Sequence, residues 1–194
     1  PQTQPVKAEE EKQHAPEKKV ARKRIALVIS NSNIQEGVSN EKAAEVGESI
    51  EGALHEKLSF DVDLVCNASK EEMDAAISRF VSQAGENQPC DTLFFFFGSG
   101  AEKDGSSYLF ECDKKGEAAG VNLGEDVVKR LNGPFVRHPD AVNMIILDCS
   151  RHEHDHTTWR GASDTNAHER FRHAHCAVGS SQFLIMFATA PGAK

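Results

Sequence analysis

Two apolar runs, each breaking into a sharp turn, constrain this chain more than anything else in it. Phe94-Phe95-Phe96-Phe97 leads into Gly98-Ser99-Gly100-Ala101-Glu102, and Ile145-Ile146-Leu147 leads into Asp148-Cys149-Ser150-Arg151. A strand that is apolar on both faces must be covered on both faces. That is the condition of a central strand in a parallel α/β sheet. Each run therefore reads as a buried strand whose following turn presents one side chain at a sheet edge. For the same reason Phe94 to Phe97 read as core and not as a binding patch.

The rest of the chain supplies the partners such strands need. Arg24 to Ile29 is a compact apolar run and reads as the first strand, with Asn31-Ser32-Asn33 following as a turn and a candidate helix cap. From Asn40 to Leu58, Ala43, Val46, Gly47, Ile50, Ala53 and Leu54 recur at helical spacing. Gly47 on that face allows a close approach to the sheet. Phe60 to Cys66 reads as a strand. Asn67 or Ser69 caps the next helix, with Glu72 in capping-box position after Ser69. Met73, Ala76, Ile77, Phe80 and Val81 form its apolar face. Thr92 to Phe97 is the third strand, Gly105 to Phe110 a hairpin arm, Leu123 to Leu131 a short helix and Met144 to Leu147 the fourth strand. After a polar, His-rich connection at 151–181, Phe183 to Ala188 is the fifth.

Strands alternating with helices give an α/β domain of three layers. Its central sheet is mostly parallel, with helices on both faces and right-handed crossovers. The working crevice of such a sheet lies outside the carboxyl ends of the strands. Ser99 and Ser150 both fall there on pattern alone.

Composition narrows the class. At 194 residues, 39% hydrophobic and 27% charged, the chain suits one globular domain. No apolar run is long enough to span a membrane. Five cysteines, an odd count without a Cys-x-x-Cys pair, read as reduced thiols in an intracellular setting. Cys66, Cys90 and Cys112 adjoin apolar runs and read as small buried hydrophobes. Net charge is −8 overall, with seven Lys/Arg against four Glu in the first 24 residues. The remainder is thus strongly acidic, which argues against nucleic-acid binding by the folded part. Residues 1–24 carry too little apolar surface to offset their chain entropy and are expected to order only on a partner. The Lys18 to Arg24 run could touch RNA or anionic lipid, but a solvated tail, or one held by an acidic protein, is the stronger reading.

The two strand–turn segments resemble the catalytic segments of the caspase-like cysteine peptidases, closest to metacaspases and their bacterial relatives. In that family the first strand ends in Gly-His-Gly and the second in Asp-Ala-Cys-Arg. Further likenesses follow in order. Ala26 to Asn33 resembles the first strand and its turn, with Ser30 in place of a glycine. Leu58 to Val62 resembles the entry to the second strand, and Ala68 to Phe80 the helix after it. Gly105 to Phe110 resembles the Gly-x-x-Tyr-Leu segment, and Ala188-Thr189-Ala190-Pro191-Gly192 the fifth-strand signature. The resemblance places the histidine position at Ser99 and the nucleophile position at Ser150. It implies a caspase-like domain over 25–194, including the connection 151–181. It also implies that the chain stops before structure that the family carries past the fifth strand.

That chemistry needs a thiolate and an imidazole to move the proton. Serine at Ser99 is no general base, and Ser150 without an adjacent base is a poor nucleophile. Losing members of such a set costs about 10⁴ to 10⁶ in turnover in serine proteases. Cys149 is a shifted-nucleophile candidate, but alternation along a strand should turn it into the core. His152, two residues past Ser150, is the nearest imidazole in sequence. The main-chain N–H groups of Gly100 and Ser150 would keep the outline of an oxyanion hole. His152, His154 and His156 would share one face of an extended segment and form a candidate Zn²⁺ or Cu²⁺ site, with His173, His175 and Cys176 further along. Their spacing fits no structural zinc pattern, and a solvated loop is the stronger reading. Arg160-Gly161 occupies the position of the family's activation loop.

The expectation is therefore a catalytically inactive pseudo-peptidase without a cofactor, serving as a structural or protein-binding subunit. Its partners are other protein subunits, met through the tail 1–24 and an edge strand at 183–192. The alternatives are an endopeptidase of atypical geometry using Cys149 or Ser150, and a regulatory pseudoenzyme paired with an active metacaspase. The start at Pro1 is compatible with a removed targeting peptide, so the expected location is cytoplasmic or mitochondrial.

Overall fold

The computed structural model describes residues 22–33, 38–103, 106–112, 120–133, 138–149, 152–153 and 182–188. The charged tail up to residue 21, the His-rich stretch 154–181 and residues 189–194 lie outside the described residues. The expectations for the tail, and for the Ala188-to-Gly192 signature beyond Ala188 itself, fall there too.

Within the described residues the elements run β1 (Lys23–Ser30), α1 (Asn40–Leu58), β2 (Asp61–Cys66), α2 (Lys70–Glu86), β3 (Cys90–Gly98), β4 (Gly100–Lys103), β5 (Ser106–Phe110) and β6 (Gly120–Asn122). A π-helical stretch, Leu123–Val128, then runs into α3 (Lys129–Leu131), followed by β7 (Val142–Cys149), β8 (His152–Glu153) and β9 (Gln182–Phe187). The short helix expected from Leu123 to Leu131 is thus mostly π in hydrogen bonding, with Lys129 N–H donating to the Gly124 carbonyl.

β1, β2, β3, β7 and β9 form a parallel sheet in the order β2-β1-β3-β7-β9. Its two faces bury different side chains. Ile25, Leu27 and Ile29 pack with Phe94, Phe96, Ile145 and Leu147 beneath α2, the π stretch and α3. Ala26, Val28, Leu93 and Phe95 pack beneath α1 with Leu54 and Phe60. The alternation of a strand thus feeds two cores, as double-sided coverage requires.

Local chemistry fixes each helix. Ser69 caps α2 with a full capping box, Glu72 reaching back to the Ser69 N–H at 2.8 Å. The cap of α1 is Ser39, accepting from Lys42 N, and not the Asn31–Asn33 turn. Those asparagines are instead engaged across the sheet end, as described below. Gly47 meets the expectation of close packing: a Cβ there would lie 2.9 Å from Leu64 Cδ1 and 3.1 Å from Ser30 Cβ.

A second, smaller sheet of order β6-β5-β4-β8 grows from the carboxyl end of the first. β5 is the expected hairpin arm, and β4 is its antiparallel partner. β4, β6 and β8 are too short for any periodicity in the sequence to reveal them. Among the described residues no helix is long and apolar enough to cross a membrane.

Candidate functional site

The carboxyl ends of β1, β2 and β3 are tied together by asparagine side chains. Asn31 is fully buried. Its main-chain N–H donates to the Phe97 carbonyl at 2.8 Å, its Oδ1 accepts from Ala68 N at 2.9 Å, and its Nδ2 donates to the Phe110 carbonyl at 3.0 Å. One residue thus fastens the loop after β2 and the ends of β3 and β5 to the end of β1. Asn67, at φ +52°, accepts from Ser32 N at 3.0 Å and donates from its own N to the Ser30 carbonyl at 2.9 Å.

Ser99 stands on this floor. Gly98 before it has φ +151°, and a Cβ there would lie 3.2 Å from the Asn31 carbonyl and from Phe96. Only glycine takes that conformation without strain, so the turn that ends β3 is set by the backbone. The Ser99 carbonyl accepts from Phe110 N at 3.0 Å, and its hydroxyl accepts a hydrogen bond from Asn33 Nδ2. The Ser99 side chain is therefore partly buried and held by an amide. Neither partner can carry a proton away from a nucleophile near neutral pH.

The opposing segment leaves the sheet in step with the first. Gly98 pairs with Cys149 at the end of the central sheet, and Ala101 pairs with His152 where β4 meets β8. The sequence offset is the same in both pairs, so the two turns are flanked by matching register on each side. The central sheet thus brings together the two segments singled out from sequence. Ser150 lies between these pairs and outside the described residues, as do His154, His156, His173, His175, Cys176 and the Arg160-Gly161 position. Gly100 opens β4 across from Leu109. The other half of the suggested oxyanion pair, at Ser150, is outside the described residues.

Cys149 turns inward as alternation requires. It is 6% exposed and belongs to the core cluster with Ile145 and Leu147, while neighbouring Asp148 is exposed on the other face. Cys66 and Cys112 are half-buried and Cys90 is buried. Burial and nearby Asp91 push the Cys90 thiol up to about 11. Burial, with Glu48 and Glu51, raises Cys66 as well. Both shifts oppose the thiolate a nucleophile needs.

Two histidine side chains fall among the described residues, and both sit at the amino ends of the strands. His55 Nδ1 is 3.2 Å from the Phe60 carbonyl, just before β2, and His138 accepts from Asp140 N at 3.2 Å, just before β7. Eight residues of parallel strand span about 25 Å, so neither imidazole serves the Ser99 end. His152 has its backbone in β8. Among the described residues no three His, Cys, Asp or Glu side chains gather as a metal site would require.

Sequence reasoning missed what holds Ser99. The grip of Asn33 joins residues far apart in the chain, and no local pattern announces it. By itself Asn31-Ser32-Asn33 reads only as a turn.

The family model described as the caspase domain, Peptidase_C14, matches residues 23–194. No curated protein matches the chain.

Proposed function

The chain belongs to the caspase-domain family, and from that premise we propose that it is a catalytically inactive member, a pseudo-peptidase kept as a structural or protein-binding subunit of a larger assembly. The observation that carries this reading is Ser99. At the end of β3, where the family's chemistry would place its proton acceptor, stands a hydroxyl bonded to the Asn33 amide. Support comes from Cys149, the thiol adjoining the nucleophile position, which packs in the core. A fold can outlive its chemistry because function resides in the site and the frame is independently stable.

The test is a screen of peptide amides of varied sequence, with a peptidyl electrophile as a covalent probe. The expected result is no turnover above buffer and no labelling at Cys149 or Ser150. Turnover abolished by Cys149→Ala or Ser150→Ala would establish the atypical endopeptidase instead. For the assembly, native extracts should contain the 21.2 kDa chain in a much larger species. Co-purification with a single active metacaspase, in place of several subunits, would mark it as a regulatory pseudoenzyme.

A further inference from the structure

The end of the basic run Lys18 to Arg24 is not tail. Lys23 and Arg24 open β1 and pair in register with Cys90 and Asp91 of β3. Arg22, just before them, lies 3.6 Å from the Asp91 carboxylate and donates to the Asp140 carbonyl. These three cations line an open cleft of about 490 Å³, together with His55, Ser59 and Phe60 where α1 hands over to β2. Small-ligand sites run from about 300 to 1,000 Å³. The cleft sits at the amino end of the sheet, a full length of β1, about 25 Å, from the Ser99 end.

The charges in this cleft do not cancel. Arg22 and Arg24, two residues apart, fall on the side of the sheet where Ala26 and Val28 pack with Leu54 of α1. Arg24 donates to the Leu58 carbonyl at 2.9 Å, and among the described residues no carboxylate pairs with it. A guanidinium carries five donors, so that bond leaves most of the fork to spare. The ion pairs of Arg22 with Asp91, at 3.6 Å, and of Lys23 with Asp61, at 3.5 Å, reach solvent and are weak. Three cations thus face one lining carboxylate, Asp61, in a domain that is otherwise strongly negative. The negative pole of α1 points here as well, but donors already meet it. Leu54 O accepts from Phe60 N at 3.1 Å, Leu58 O from Arg24, and the Phe60 carbonyl lies 3.2 Å from His55 Nδ1.

Shape and charge select among anions. Two guanidinium groups on one face, with the Ser59 hydroxyl beside them, suit a compact dianion with several oxygens, and the planar fork of arginine matches a phosphate group two bonds at a time. A single carboxylate would occupy one fork and leave the other idle. A long nucleic acid would run off the cleft onto the acidic remainder of the domain, which repels its neighbouring phosphates. One phosphate group fits; a polyanion does not.

We propose that the cleft of Arg22, Arg24, His55 and Ser59 is a binding site for a single phosphate group, free or carried as a monoester on a small molecule. Arg24 supplies the main fork, Arg22 the second charge and Ser59 a hydroxyl. The site stands apart from the pseudo-peptidase reading. Peptide turnover at the opposite end of the sheet would remove that reading and leave this one untouched.

The experiment is an amide NMR titration of the full chain at constant ionic strength. Inorganic phosphate, O-phosphoserine and AMP are the probes; chloride, acetate and a short single-stranded RNA are the comparators. Phosphate should move the amides of Arg22 to Arg24 and Ser59 to Asp61 to saturation, with a dissociation constant of about 1 mM or below. The three probes should compete, and the tightest names the carrier. Arg24→Gln should weaken binding about tenfold, the worth of one charge-assisted hydrogen bond. Arg24→Lys keeps the charge but loses the fork, so it should weaken binding severalfold while the thermal melt stays unchanged. That second variant keeps the test intact if Arg24→Gln fails to fold. Lys129→Gln, which removes a cation paired with Glu125 in another part of the fold, should change nothing. Five results would overturn the proposal: shifts that chloride reproduces, acetate binding as tightly as phosphate, RNA binding more tightly than any probe, an equal loss in Lys129→Gln, or no shift at all, as when the chain's own tail fills the cleft.

Discussion

Asn31 and Cys90 each have a measurable consequence at the scale of one side chain. Truncating Asn31 removes the acceptor of the buried Ala68 N–H and a donor to the Phe110 carbonyl. Unsatisfied buried groups cost about 1–3 kcal/mol each, so Asn31→Ala should lower unfolding free energy in urea by about 2–4 kcal/mol. Ser99→Ala, which removes one partly exposed hydroxyl, should cost well under half of that. Cys90 acts through pH. Its folded value, about 11, lies above its ordinary 9.0, so the native protein keeps a proton that the unfolded chain releases. The contribution is whole below about pH 9 and is lost as pH rises toward 11. At about 1.4 kcal/mol per unit, the wild type should lose on the order of 2 kcal/mol more than Cys90→Ala between pH 8 and pH 11 in urea titrations. Cys66 is shifted in the same direction and adds to the slope.

Elements differ in how openly the sequence announces them. α2 declares itself through its apolar spacing and the Ser69/Glu72 box, and the box is present. Ser69→Ala should cost about 1 kcal/mol, lowering the midpoint of a thermal scan by about 2–4 °C for a chain of this size. β1, β3 and β7 are legible because a run apolar on both faces fits little besides a central strand. β4, β6 and β8 are not. They are two to four residues long, and pairing, not their own alternation, makes them strands. β9 is legible as a strand, yet Gln182 to Phe187 does not say which face packs in the main core, because its apolar residues fall on both faces. Of the candidate site, the position of Ser99 is readable from the strand before it. The bond from Asn33 is not, because it depends on two distant turns meeting. The Ser150 half lies outside the described residues.

For the molecule as a whole, strand order sets where it opens first. Among the described residues, β1, β3 and β7 have paired neighbours on both sides, whereas β2 and β9 each have one. Native-state hydrogen exchange should therefore give the slowest amides in β1 and β3, with β9 exchanging faster by about ten- to a hundredfold. Edge groups open locally while central ones wait for larger unfolding. Uniform protection across all five strands would contradict this ordering.

Gly98 carries one more consequence. The turn after β3 is specified by a residue without a side chain, at φ +151°, packed against Asn31 and Phe96. The residue that rides on the turn is not asked to hold it. A saturation-mutagenesis map scored by folded abundance would then have a narrow trough at 98 beside a broad plateau at 99. Selection on folding alone preserves the pedestal indefinitely and exerts almost no grip on what stands there. That asymmetry leaves position 99 free to drift wherever folding is all that selection sees.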